Sequence, residues 1–235
     1  MPPASWMRVV IADWFFYVGV TFGALLPIAN PFSTAPVFLS VTEGFTANRR
    51  KQQAKMAAIY MVCVLLVALF AGALVLEFFG ITLPILRIGG GLIIARVGFS
   101  MLDAEPQGRI TEVEQDDARG MKDIAFTPIA MPLLSGPGSI AVTIAMATHS
   151  SNFGTYSAEV VGIALVAFVC WLVLRYSDAI LDFIGQTGMN VMTRMMGFLL
   201  VCIGVQFVVT GTIEGLAGER MMQVLSDWVE MWEAR

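Results

Sequence analysis

Hydrophobic residues in this chain are gathered into long uninterrupted runs, and the polar residues are confined largely to the gaps between them. The runs fall at about 9–29, continuing through a Pro-rich break to 42, then at 57–79, 84–102, 124–148, 160–184 and 195–213. Most approach or exceed the roughly 20 residues that an α-helix needs to cross a bilayer. A transmembrane β-barrel would show stretches of about ten residues with alternating polarity, whereas these runs are continuous and rich in Leu, Val, Ala and Ile. The pattern predicts an all-α, polytopic membrane protein of about six transmembrane helices.

Two of the runs are broken at related points. Asn30 is a good N-cap with Pro31 at the first helical position, and Gly136 precedes Pro137 in the same way. Each break predicts the start of a half-helix, over 31–42 and 137–148. A helix that starts inside the bilayer leaves free N–H groups and a partial positive charge, which lipid cannot satisfy. Ser33, Thr34, Ser135 and Ser139 place hydroxyls beside the breaks. Brought together, the two starts would form a small polar pocket near the midplane, suited to a carboxylate or another anion. The expected substrate-binding set is therefore Asn30, Pro31, Ser33, Thr34, Ser135, Gly136, Pro137, Gly138 and Ser139. A proline kink whose freed carbonyls bond serine hydroxyls explains a single break well; a matched pair favours the pocket. An interrupted span and a helix followed by a re-entrant half are both compatible with residues 13–42.

The matching is wider than the breaks. Asn30-Pro31-Phe32-Ser33 recurs as Gly136-Pro137-Gly138-Ser139 at an offset of 106, with Ala35 meeting Ala141 and Thr42 meeting Thr148. Glu77-Phe78-Phe79-Gly80 recurs as Asp182-Phe183-Ile184-Gly185, and the block that begins Arg87-Ile88-Gly89 recurs from Arg194-Met195-Met196. This predicts two three-span repeats, 9–103 and 121–213, joined by a polar connection over 104–120 and followed by an amphipathic interfacial helix over 214–235. With three spans each, the second copy enters from the opposite side. Inverted repeats with broken helices are a recurrent plan of secondary transporters.

Composition sharpens the class. The chain is 57% hydrophobic and 14% charged, with mean hydropathy +0.76, where soluble proteins hold about 45–50% apolar and about 25% charged residues. A net charge of −4 and the lack of a long basic tract exclude nucleic-acid binding. Cys63, Cys170 and Cys202 each lie inside an apolar run with no CxxC spacing, as small hydrophobes rather than a disulfide or metal set. No metal or other cofactor is implied.

Lys and Arg set the expected orientation. Arg49, Arg50, Lys51, Lys55, Arg109, Arg119, Lys122, Arg175 and Arg194 fall on one side, against Arg8, Arg87, Arg220 and Arg235 on the other. That distribution places both termini outside the cytoplasm. No cleavable signal peptide is evident, so the first run is expected to stay as a helix.

Four residues are gating or coupling candidates. Arg87 and Arg194 begin equivalent helices, where arginine commonly snorkels to the interface; a gating pair with Glu77 or Asp182 is the alternative. Arg96 lies well inside the third run, and Gln206 is a polar residue inside the sixth, suited to an interhelical hydrogen bond. Gly89-Gly90-Gly91 is a close-packing signal, and the lone histidine, His149, is expected at a helix end. Glu77, Asp178 and Asp182 all lie near predicted ends, so no buried carboxylate stands out as a proton carrier.

The Asn30-Pro31 block with its Pro36-Val37-Phe38-Leu39 continuation, the segment Pro132-Leu133-Leu134-Ser135-Gly136-Pro137-Gly138-Ser139 and the paired Arg-x-x-Gly helices together resemble the MarC family. The resemblance covers roughly residues 10–213. It implies a bacterial or archaeal inner-membrane protein of about six spans, in a family also classed as small neutral amino acid transporters. It marks Asn30, Pro31, Gly136, Pro137 and Gly138 as motif positions.

The expected function is a secondary transporter or exporter of a small neutral solute such as glycine or alanine, working by alternating access. Proton or sodium coupling and a homo-oligomer are both compatible with it, and the expected partners are the bilayer and the small-molecule substrate. A non-transporting structural or regulatory subunit is the alternative. An intramembrane enzyme is disfavoured, because the sequence holds no HExxH, no serine–base pair and no paired midplane aspartates.

Overall fold

A computed structural model describes residues 4–103, 123–148, 150, 152–217 and 232, with the backbone alone for 4–11. Its helices are α1 (Ala4–Ala29), α2 (Pro31–Val41), α3 (Ala47–Phe78), α4 (Leu83–Leu102), α5 (Pro137–Ala147), α6 (Phe153–Arg175) and α7 (Ser177–Leu216). Before α5, residues Ala125–Leu134 form wide turns closed by Ile129 N–H donating to Ile124 O at 3.3 Å and Ser135 N–H donating to Ala130 O at 2.8 Å. Pro128 and Pro132 deny this segment two N–H donors, so it does not hold regular α-helix. Among the described residues there is no strand. Five of the described helices are long and apolar enough to span a membrane, or six if the pair 125–134 and 137–147, bent by 63°, is counted as one span.

The run predicted over 57–79 starts ten residues earlier, at Ala47, capped by the Thr46 side chain accepting from Arg49 N. Its basic first turns are solvent-facing helix rather than a loop. The predicted runs 160–184 and 195–213 are also divided differently. Asn152 and Thr155 form a reciprocal capping box that starts α6 at 153, and the chain turns at Tyr176. The leg that follows bends again at Gly185, where φ is +71°. Gly80, its counterpart at an offset of 105, has φ +65°. Both turns need a left-handed residue, which glycine supplies without steric cost.

Packing fixes the relative directions of the spans. Along α6, Trp14 Nε1 donates to Ser157 Oγ at 2.9 Å, Thr21 fills the space beside Gly162, and Phe32 and Ala35 cluster with Val169 and Val173. α1 and α2 thus follow α6 in one continuous direction, without folding back as a hairpin. The other broken span follows α3 likewise: Gln53 Oε1 accepts from Ile124 N at 3.1 Å, Tyr60 meets the Phe126 ring edge-on, and Ile144 packs on Gly72. α4 and α7 run antiparallel, with Gly91 opposite Gly204 and Gly98 opposite Gly197. Adjacent glycines divide their work: Gly90 faces Ala141 of α5, Gly91 faces α7, and Gly89 faces open space. Between apolar helices in lipid, such close backbone approach supplies dispersion contacts in place of the hydrophobic effect.

At the end carrying the basic turns, Arg50 grips both carboxylate oxygens of Asp178 at 2.8 and 2.7 Å and reaches Thr42 O at 3.4 Å. Asp178 is largely exposed, so this pair is a modest tie. Asp178→Asn is expected to cost less than about 1 kcal/mol, read as a small change in thermal midpoint in detergent.

Candidate functional site

The two breaks are built differently. Asn30 adopts a left-handed backbone (φ 36°), which asparagine tolerates better than most residues. It is fully buried, its Oδ1 accepts from Ser33 N at 3.3 Å, and its Nδ2 contacts Met101 Sδ at 3.4 Å. Ser33 Oγ and Thr34 Oγ1 each donate to Asn30 O at 3.1 Å. Pro31 is buried at the first helical position. The start of α2 is therefore closed upon itself and backed by α4.

The start of α5 is open. Gly136 offers no capping side chain, and Pro137 has no N–H, so Gly138 and Ser139 carry first-turn amides with no intrahelical acceptor. Gly136, Pro137 and Gly138 line a cavity of about 280 Å³ whose other walls include Ile28, Ile93, Ile94, Val97 and Leu200. A Cβ on Gly138 would lie 2.9 Å from Ile94 and 3.3 Å from Ile28, so the α5 start also abuts the residues just before the first break. A Cβ on Gly136 would lie 2.7 Å from the Pro132 carbonyl oxygen. Ser139 Oγ turns back to Leu134 O at 3.3 Å, and Ser135 Oγ is buried with no hydrogen-bond partner. Of the nine expected binding residues, the cavity collects Gly136, Pro137 and Gly138; Asn30, Pro31, Ser33, Thr34, Ser135 and Ser139 do not line it. Its walls are mostly aliphatic rather than polar.

A second cavity, of about 410 Å³, lies at the opposite end of α5, beside Val142, Ala145 and Met146. It gathers Arg87, Gln206, Thr210, Ser150 and Glu159 among apolar side chains. Arg87 is buried and ion-paired with Glu214, so the expected snorkelling arginine instead lies inside the bundle, and its carboxylate partner is neither Glu77 nor Asp182, both exposed. Gln206 Nε2 donates to Thr210 Oγ1 at 3.0 Å, along its own helix rather than between helices. Arg96 and Arg194 are exposed and line neither cavity. His149, the 104–120 connection and the predicted helix over 214–235, apart from its first residues and Trp232, lie outside the described residues.

Sequence reading missed Glu159. It is 3% exposed and accepts from Ser150 Oγ at 2.6 Å. Starting the fifth run at 160 put it in a turn; the Asn152-x-x-Thr155 capping signal would have moved it inside α6.

Comparison with known proteins bears on the whole chain. A family model described as MarC family integral membrane protein matches residues 15–216. A curated relative, UPF0056 inner membrane protein MarC of Escherichia coli O1:K1 / APEC, is 39% identical over 214 residues, covering 86% of this chain and 96% of the relative. The proteins of the same name from Escherichia coli strain SMS-3-5 and Shigella flexneri are 38% and 39% identical, with the same coverage. No solved structure matches the chain.

Proposed function

Because this chain belongs to the MarC family of integral membrane proteins, we propose that it is a secondary transporter of a small neutral amino acid in a bacterial inner membrane. The observation that carries this reading is the uncapped start of α5 opening on a cavity inside the bundle. The Gly138 amide, at the open start of α5, would hold the substrate carboxylate, aided by the helix dipole. The aliphatic walls around Gly138 favour a hydrogen or a methyl as the substrate side chain, as in glycine or alanine.

Two inverted halves account for the packing: each broken span lies parallel to the long helix of the other half, and α4 opposes α7. The cavities at the two ends of α5 are separated where Ala141 meets Gly90, next to buried Val142 and Ile94. Alternating access would open the cavities in turn. The closed α2 start favours the second reading, a structural subunit, and makes the flux measurement decisive.

Uptake of labelled glycine and alanine into proteoliposomes is expected to exceed that into protein-free vesicles. Gly136→Leu, which drives a side chain against the Pro132 carbonyl, should lower uptake at least about 100-fold, as misplacement of about 1 Å does in active sites. Asn30→Ala should reduce folded yield, because it removes an N-cap worth about 1 kcal/mol and holds alanine in a left-handed conformation. Flux equal to that of empty vesicles would favour the structural subunit.

A further inference from the structure

We propose that Glu159 is a proton-binding site that couples transport to the pH gradient, an inference that rests on the transport reading above. Glu159 lies six residues beyond the start of α6, about 9 Å along the helix at 1.5 Å per residue, and is almost wholly buried. A carboxylate inside a membrane bundle is costly to keep charged and is commonly part of an ion or proton pathway. It is not sealed in packing: it lines the 410 Å³ cavity that Arg87 also lines.

The groups around it select a proton over a metal cation. α4 brings Arg87, whose charge Glu214 of α7 matches. α7 otherwise brings the uncharged Gln206 and Thr210, α1 brings Tyr17, and α5 brings only apolar side chains. No described residue of α3 lines the cavity. A hard metal ion needs a shell of oxygen ligands, whereas here a guanidinium shares the space. A proton needs one carboxyl oxygen. The chemistry is a simple exchange: the carboxylate gains H⁺ from water while its own chamber is open, forming an O–H bond, and gives it up as that chamber closes and the one at the start of α5 opens. The Ser150 hydroxyl donates to one oxygen of this carboxyl group at 2.6 Å.

The test uses full-length protein in proteoliposomes and two readouts. Infrared difference spectra recorded across a pH series should contain a protonated-carboxyl C=O band that disappears in Glu159→Gln, a band to which the imidazole of His149 contributes nothing. Ser150→Ala, which keeps the carboxyl, should retain the band with a displaced midpoint. In flux, Glu159→Gln should lose at least 10-fold in alanine accumulation driven by a pH gradient, while alanine counterflow at equal pH stays within twofold of wild type. A sodium gradient should not replace the pH gradient. A band unchanged in Glu159→Gln, or undiminished pH-driven accumulation, overturns the proposal. If wild type carries neither glycine nor alanine, the transport reading fails, and the infrared band alone decides whether Glu159 takes up a proton.

Discussion

Gly204→Val is expected to leave little folded protein in the membrane, while Gly89→Ala across the same helix pair is expected to do no harm. A Cβ at Gly204 would lie 2.6 Å from both Ala95 N and Gly91 O. These are backbone atoms, so no rotamer change relieves the clash, and α4 and α7 must separate along their whole contact. Overpacking costs about 1–3 kcal/mol where side chains can adjust, and this site belongs at or above the upper end. At roughly 2–4 °C per kcal/mol for a chain of this size, the thermal midpoint in detergent should fall by about 10 °C or more. A Cβ at Gly89 meets nothing within 4 Å, and alanine is the better helix former by up to about 1 kcal/mol. Equal midpoints for the two variants would show that the α4–α7 approach does not hold the bundle together.

The second large effect is an asymmetry within one ion pair. Arg87 has a side chain 9% exposed, and that of its partner Glu214 is 37% exposed. Arginine stays charged in a protein, whereas a carboxylate left half-exposed can be hydrated. Glu214→Gln should therefore cost about 1–3 kcal/mol, the range for leaving a buried polar group without its partner. Arg87→Gln should cost clearly less, and the double variant should recover most of the loss in Glu214→Gln. Midpoints of the four proteins in one detergent test this. Equal losses in the two single variants would show that burial of the guanidinium does not govern the pair.

The spans were legible because bilayer thickness imposes a length on apolar runs, and the half-helix starts because Asn-Pro and Gly-Pro have few other uses there. The limits of α3, α6 and α7 were less legible. Arg49 to Lys55 interrupt the apolar run without interrupting the helix, since a helix can project into water with its polar turns intact. The cut at Tyr176 leaves no Gly or Pro signal. The unlike behaviour of the two breaks was hidden for another reason. Motif matching treats Asn30 and Gly136 as equivalents, but a side chain that folds back to Ser33 N closes a helix end, and a hydrogen atom cannot. Arg87 and Glu214 were out of reach because 127 residues separate them.

The placement of α5 has a mechanical consequence. Its Ala141 methyl rests on Gly90 of α4, four residues from one end and six from the other, so that contact can act as a fulcrum. At 1.5 Å per residue the lever arms are about 6 Å and 9 Å. Tilting a stiff rod on such a support moves its ends in opposite senses, so widening the chamber at one end narrows the chamber at the other.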